Sequence, residues 1–412
     1  MNDLVKPRSI KEKILTRLED AARPIYLKLK GFQNLISTNI IFAYRRKKFL
    51  RLVEERMSNY RGIFIQSGFI EWNIPLFQRP QHFARAMSRA GFLVIYLTPN
   101  VWRDNVHGFE EIEPNLFLSN DLRLIYKISG ALVSFYSTCS GYTADDIDRV
   151  RAKGNKVLYE YVDHIDPKIS WSHVKLLKKV FDHVSEDTVD YVLATSRRLV
   201  DEMQAKVGQA KVLYIPNGVD YEHYHSIVKR KSASTPEPLL KLVDSGKPIV
   251  GYFGAIAPWL WYDLIGQCAV LLPEINFVFI GPDYLKAARK LPQRNNFCYL
   301  GPIEYIDLPH YARHFTIGII PFSPGDIAKS TSPLKLYEYF ALRKPVVVTS
   351  DMEECVAYPE VFQGHDAESF CEKINLAITL STDQDYLTRV ETLALENTWQ
   401  KRADAAAVAM AL

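Results

Sequence analysis

The stretch S-T-S-P-L-K-L-Y-E-Y-F-A-L-R-K-P-V-V-V-T-S, residues 330–350, decides how the rest of the chain is read. Its hydroxyl-rich start predicts a helix N-terminus, with Ser332 as the N-cap and Pro333 at the first helical position. Strong helix formers with an apolar face run on from Leu334 until Lys344-Pro345 stops them. Val346-Val347-Val348 then reads as a short, fully apolar strand. Hydroxyls that feed a helix and a buried strand suit a phosphate, because orphan backbone N–H groups and the helix dipole both favour an anion there. Lys335 and Glu338 are three apart and share one helix face. One can meet a phosphate and the other a sugar hydroxyl; the alternative is a surface ion pair on an ordinary helix.

A chain of 412 residues is too long for one ordinary core, so two domains are expected. A hydrophobic fraction of 48% with 24% charged residues is that of a soluble globular protein. Cysteines 139, 268, 298, 355 and 371 are odd in number and share no C-x-x-C spacing, which argues against a disulfide framework or a zinc site. A reducing, cytoplasmic compartment fits them. The net charge of +4 is unevenly spread. Residues 1–60 hold 14 Lys and Arg against 6 Asp and Glu, so the remaining chain carries a small negative excess. Nothing in that body supports nucleic-acid binding.

Residues 1–60 form a basic extension with two amphipathic stretches, Ile10 to Leu29 and Leu35 to Met57, the second with the cluster Arg45-Arg46-Lys47-Lys48. No apolar h-region with a cleavage site follows the first charges, and Leu35–Tyr44 is too short and polar to span a bilayer. Such a segment can lie on an anionic membrane surface, which makes a peripheral location at the inner face an expectation; the alternative is a helix packed on the body with a solvated basic face. From Gly62 the pattern becomes strand, loop, helix, strand. Strands are expected at 62–66, 92–97, 131–136, 156–161, 191–194 and 212–215, with helices at 79–90, 143–152 and 196–207. Residues 228–246 read as a linker, and the alternation restarts at Pro248 with strands at 248–253, 277–280, 297–300 and 316–320. The fold class is therefore α/β, with two Rossmann-like doubly wound halves at 61–227 and 247–390 and a terminal segment at 391–412. Ligands of such sheets bind beyond the carboxyl ends of the strands, and here the strands of the second half end in Gly or Pro.

The strings "VGYFGAI" (250–256), "FVFIGP" (277–282), "YLGPIEYIDLPHYAR" (299–313), "GIIPF" (318–322) and "SPLKLYEYFALRKPVVVTS" (332–350) carry a family likeness. So do "FQRPQHFARAMSRAG" (77–91), "IPNGVDYEHY" (215–224) and "ENTWQKRADAA" (396–406). Over residues 62–406 the chain resembles the GT-B glycosyltransferases, in particular the large family-4 group. The resemblance implies a transferase moving a sugar from a nucleotide diphosphate-sugar donor, a substrate and not a cofactor, to an acceptor hydroxyl. It implies a donor bound mainly by the second half and an acceptor, whether glycan, lipid-linked or small molecule, bound mainly by the first. It also implies retention of anomeric configuration and a last helix that crosses back to the first half, with Trp399 as its anchor. Glu338 matches the second Glu of the family's E-x7-E element, which holds the donor ribose. The first Glu is absent, Ser330 standing at its position, and the Arg…Lys pair common in relatives after the first strand of the second half is absent too.

The expected donor site is Gly254, Ala255, Thr331, Ser332, Pro333, Leu334 and Glu338, with Lys335 stabilising the departing diphosphate. Asp163 and His164 follow an apolar strand and can take the acceptor proton or bind the donor sugar; the alternative is a loop His and a capping Asp. Gly68, Gln78, Arg79 and His82 are placed on the acceptor or diphosphate side, though a polar helix N-terminus explains the last three too. Asn217-Gly218 reads as a turn bordering the cleft. Asp146-x-Asp148 lies inside a polar helix and His223-x-His225 lacks a third ligand, so no metal site is expected. Gly-x-Gly-x-x-Gly is missing after both first strands, which argues against NAD. Trp259, Trp261 and Tyr262 can stack on a ligand or pack in the core. Two rival functions share this outline: a sugar-nucleotide epimerase, and a sugar-nucleotide-binding relative without catalysis.

Overall fold

The computed structural model describes residues 39–68, 70–170, 173–229 and 234–411. The amphipathic stretch Ile10–Leu29 lies outside the described residues. The second stretch enters as helix α1, Asn39–Arg56, and is fastened to the first half. Its Phe49 is buried against Phe109 and Phe117, and Arg46 holds Asp121 through two hydrogen bonds, at 2.5 and 2.9 Å.

The first half is one eight-stranded sheet made of β1 (Ile63–Gln66), β2 (Leu93–Leu97), β3 (Phe109–Glu113), β4 (Leu116–Ser119), β5 (Ala131–Tyr136), β6 (Lys156–Tyr161), β7 (Tyr191–Ala194) and β8 (Val212–Tyr214). The order is β3-β4-β2-β1-β5-β6-β7-β8, parallel throughout except that β3 turns back on β4. Helix α2 (Arg79–Arg89) connects β1 to β2, and α3 (Arg197–Val207) connects β7 to β8. Ser196 caps α3 by accepting from Leu199 N.

The second half is a six-stranded, all-parallel sheet of β9 (Ile249–Phe253), β10 (Asn276–Ile280), β11 (Phe297–Tyr299), β12 (Ile317–Ile320), β13 (Val346–Thr349) and β14 (Val361–Gly364), in the order β11-β10-β9-β12-β13-β14. Every residue of β9, β10, β12 and β13 is buried, as their unbroken apolar runs require of strands covered on both faces.

The chain passes between the halves twice, and the first passage differs from the sequence reading. Helix α4, Tyr221–Lys229, packs Tyr224 and Ile227 into the core of the second half, although the sequence reading ends the first half at 227. Leu239, in the stretch read as linker, is buried in the same core. The true crossing is Ile215–Asp220. A charged, proline-containing run marks only surface, whereas a crossing needs a short segment with bare backbone, and Asn217-Gly218 supplies it. Helix α5 (Leu334–Ala341) and helix α6 (Gln384–Glu396) pack in the second half. The second crossing follows at Asn397–Thr398, and helix α7 (Trp399–Ala409) then lies along α2 with Trp399, Ala403, Ala406, Ala407 and Met410 in the core of the first half.

The two crossings run side by side. Val219 N donates to Asn397 O at 3.0 Å and Trp399 N to Val219 O at 3.1 Å. Gly218 permits this contact: a Cβ there would stand 2.7 Å from Asn397 O and 3.1 Å from Trp399 N, both backbone atoms that cannot swing away. Gly218→Ala is expected to cost about 1–3 kcal/mol of stability through this overpacking, measured by denaturant unfolding.

Candidate active site between the halves

Helix α5 begins one residue later than its sequence suggests, with Pro333 as N-cap. Ser332 serves a different purpose. Its Oγ accepts from Asn217 N at 3.3 Å and its carbonyl accepts from Asn217 Nδ2, so it ties the helix start to the first crossing. The Thr331 hydroxyl donates to Ile327 O at 2.6 Å. The Thr331 hydroxyl has therefore spent its proton on Ile327, whereas the Ser332 hydroxyl only accepts and keeps its own proton.

Lys335 lies over the bare backbone of Gly254. A methyl at 254 would approach Lys335 Cε to 2.8 Å and Nζ to 3.3 Å, and the φ of +134° there also favours glycine. The Lys335 ammonium sits 5.4 Å from the Tyr252 ring centre and 5.3 Å from that of Phe322. Among the described residues it makes no hydrogen bond and no ion pair within 4.0 Å. Burial pulls its pKa below the usual lysine value, while the charges of Glu338, Cys355 and Asp163 pull the other way. The Ala255 carbonyl accepts from Tyr252 Oη at 3.0 Å.

Glu338 is buried and accepts from Tyr224 Oη at 2.9 Å. The surface ion pair with Lys335 that spacing allowed does not form. Burial raises the Glu338 carboxyl to about 7, against the opposing pull of Tyr224 and Lys335. Asp163, in the loop after β6, is raised to about 7 for the same reason, with Lys335 again opposing. The Coulombic coupling of Asp163 to Lys335 puts a first-half carboxyl opposite a second-half ammonium. His164 turns to Glu202 of α3, with Nδ1 3.7 Å from Oε2, and this contact raises its pKa. Leu334 packs on the core of the first half and closes the base of the cleft.

Behind this group lies a buried polar network. Arg79, only 1% exposed, donates Nε to Glu160 Oε2 at 2.8 Å and Nη1 to Ile215 O at 3.0 Å and Asn217 Oδ1 at 3.2 Å. Glu160 also accepts from Gln66 Nε2 at 3.0 Å and Ser134 Oγ at 2.5 Å. Arg79 therefore holds a carboxylate and a crossing, not the cleft surface where sequence placed it. His82 is buried, stacked on Trp399 at 5.1 Å and 9°, and burial pushes its imidazole well below the ordinary range. Gln78 is the N-cap of α2, its backbone N–H accepted by Gln81 Oε1 at 3.3 Å, and Gly68 packs 3.4 Å from Pro80 Cβ, measured from where its own Cβ would be. Asp146 caps Thr143 and Asp148 pairs with His183 at 2.9 Å. Among the described residues no group of three or more His, Cys, Asp or Glu is placed to hold a metal ion.

Two α/β sheets facing across a double crossing, with the last helix returned to the first half, have counterparts among solved structures. Sucrose-phosphate synthase from Thermosynechococcus elongatus superposes with a TM-score of 0.60 over 84% of this chain and 96% of that one, at 13% identity. The UDP-forming α,α-trehalose-phosphate synthase of Burkholderia xenovorans in complex with glucose-6-phosphate gives 0.64 over 85% and 100%, at 10% identity. The chain has the GT-B fold. HepE of Anabaena in complex with UDP and glucose shares it at a TM-score of 0.55 and 14% identity, over 85% of this chain and 98% of that one. No protein-family profile matches the chain. In sequence it is similar to "Putative teichuronic acid biosynthesis glycosyltransferase TuaH" of Bacillus subtilis (strain 168), 29% identical over 223 residues, 51% of this chain and 54% of the relative. The match thus spans about half the length of that relative.

Within this GT-B frame, sequence reasoning missed Glu160 and Tyr224, and placed Asn217 at the cleft border without its bonds to Arg79 and Ser332. A glutamate inside the apolar strand K-V-L-Y-E-Y was the available signal, because a carboxylate in a buried strand must have a partner. Arg79→Met is expected to cost about 3–5 kcal/mol in denaturant unfolding, since it strands the Glu160 carboxylate without a counter-charge. A residue that only touched ligand would leave unfolding unchanged.

Proposed function

We propose that the protein is a glycosyltransferase that moves a sugar from a nucleotide diphosphate-sugar to an acceptor hydroxyl. The observation that carries this reading is Lys335, an ammonium without a counter-ion contact, laid on the backbone of Gly254 at the start of α5 and opposite Asp163. The departing diphosphate gains negative charge as the glycosidic bond breaks, and a desolvated ammonium beside helix N–H groups meets that charge where it develops. Glu338 is placed one turn further along the helix, where its carboxyl can take the ribose hydroxyls once Tyr224 yields. Asp163, with its pKa near neutrality, suits a proton acceptor for the incoming hydroxyl, the pKa match a general base needs. The UDP and glucose bound by HepE, and the glucose-6-phosphate bound by the trehalose-phosphate synthase, support a nucleotide-sugar donor and a sugar acceptor.

Retention of configuration, which the family resemblance favours, needs no protein nucleophile when the acceptor enters on the face the diphosphate leaves, with Asp163 taking the acceptor proton on that same face. In this reading Lys335 and the helix N–H groups supply the positive charge at the diphosphate, so EDTA should leave turnover unchanged. Polysaccharide or glycolipid assembly is the pathway class that the likeness to TuaH supports. Helix α1 supports an anionic membrane surface. Tyr44, 72% exposed, lines up with exposed Lys47, Lys48 and Arg51 at helical spacing on one face. No helix among the described residues is long and apolar enough to cross a membrane.

The deciding experiment incubates the protein with a panel of nucleotide sugars and acceptors and follows nucleoside diphosphate release. Release that requires acceptor is the expected result. Interconversion of the donor without acceptor identifies an epimerase, and binding without turnover identifies a non-catalytic relative, for which the missing first Glu of the E-x7-E element would be the cause. Lys335→Ala should lower kcat by about 10²–10³-fold.

The pH profile tests Asp163. Its carboxyl is neutral below its pKa, so the rate should fall as pH drops through about 7, and Asp163→Asn should abolish that limb. The sign for stability is opposite. A carboxyl raised from 3.8 to about 7 binds its proton more tightly in the folded state, so the stability it adds is full below pH 3.8 and lost as pH rises through about 7.

A further inference from the structure

A cavity of about 440 Å³ opens beside the crossings and shares no lining residue with the Lys335 and Asp163 group. Its size falls in the range of small-molecule sites, roughly 300–1,000 Å³. Both halves build it. Trp72 and Phe77 come from the first half and Tyr305 from the second, while Asp220 follows directly on the hydrogen-bonded crossing. Phe77 stacks on Tyr305 at 5.0 Å, and Tyr305 on His223 at 4.0 Å.

The wall is fixed in advance by two buried carboxylates that exchange hydrogen bonds between loops. Glu71 accepts from the N–H groups of Val101, Trp102 and Arg103 at 2.6, 2.7 and 3.1 Å. Asp104 accepts in return from Trp72 N at 2.7 Å and Asn73 N at 2.9 Å. A pocket held by such bonds needs no reorganisation when a ligand enters.

The charges select the ligand. Arg85 is bound to Glu113 at 2.5 Å, and Arg103 reaches Glu304 at 3.3 Å across the rim from one half to the other. Burial pushes the His223 imidazole down, which keeps it neutral. No unmatched cation is left to draw a phosphate or an anionic sugar. Asp220 and Glu304 each keep one carboxylate oxygen that makes no hydrogen bond among the described residues and can accept from hydroxyls. The faces of Phe77 and Tyr305 are taken up by their stack on each other, by Arg85 and by His223, so apolar contact with a pyranose falls to Trp72 and to Ile306, 70% exposed, while the flanking carboxylates bind its hydroxyls.

We propose that this cavity is a second carbohydrate subsite, which holds a neutral sugar residue of a glycan acceptor away from the reacting centre. The glycan role rests on the transferase reading; the carbohydrate chemistry of the cavity does not. The test passes the full-length protein and its Asp220→Asn, Glu304→Ala and Lys335→Ala variants over an array of neutral and anionic oligosaccharides. Asn at 220 keeps the bond to His223 N, and Glu304 is exposed, so both variants retain the fold, as their melting curves will show. Wild type and Lys335→Ala should capture the same neutral glycans, and Asp220→Asn and Glu304→Ala should lose at least tenfold in capture. Capture indifferent to Asp220 and Glu304, capture confined to anionic glycans, or no capture overturns the proposal. Melting with UDP is read separately. An equal rise for wild type and Asp220→Asn is expected, and its loss in Asp220→Asn alone makes the cavity part of the nucleotide site and overturns the proposal too. If wild type itself fails to respond to UDP, the transferase reading fails while the array still decides the cavity.

Discussion

The structure depends on one contact, the parallel pairing of Val219 with Asn397 and Trp399 where the chain crosses twice between its halves. Two backbone segments only a hydrogen bond apart allow the halves to tilt but not to part. Everything in the cleft is referred to that line. Asn217 passes its register to Ser332 and so to the start of α5, and Arg79 passes it to Glu160 and so to the carboxyl ends of the first sheet. The bare backbone at Gly218 is the price of the pairing, and it leaves no room for any other residue.

Two kinds of buried charge sit close together and differ in their bookkeeping of partners. Arg79 and Glu160 are bonded to each other and to carbonyls, a hydroxyl and an amide, and these bonds hold structure. Lys335 and Asp163 are desolvated without such matching, Glu338 has the Tyr224 hydroxyl, and their pKa values move toward neutrality from both sides. Groups kept in that state are poised to change protonation or to accept a charged ligand.

Much of this was legible in the sequence because period and punctuation are local. The apolar strands of the second half, the capped helices after Thr143 and Ser196, and the two-sheet outline follow from residue patterns within ten positions. The antiparallel pair β3 and β4 was not read, because F-E-E-I-E is an exposed edge whose charges mask the alternation. β14 was missed for a similar reason, with only Val361 and Gly364 of its four residues buried. The destinations of Arg79, Ser332 and Asn217 were beyond reach, since each is decided by a partner more than a hundred residues away or on the other half. Lys335 and Glu338 were found by spacing, yet their relation was not: burial and Tyr224 separate a pair that helix geometry alone would join.

The return of α7 to the first half has a consequence for how the protein is made. The apolar face formed by Phe64, Phe83 and Met87 is covered by Trp399, Ala403 and Ala406, which are synthesised some three hundred residues later. During translation the first sheet can assemble its strands but must leave that face uncovered until α7 emerges. The second half has its own core and can close meanwhile. The first half therefore cannot cover this face until the last helix is made, whatever the state of its strands.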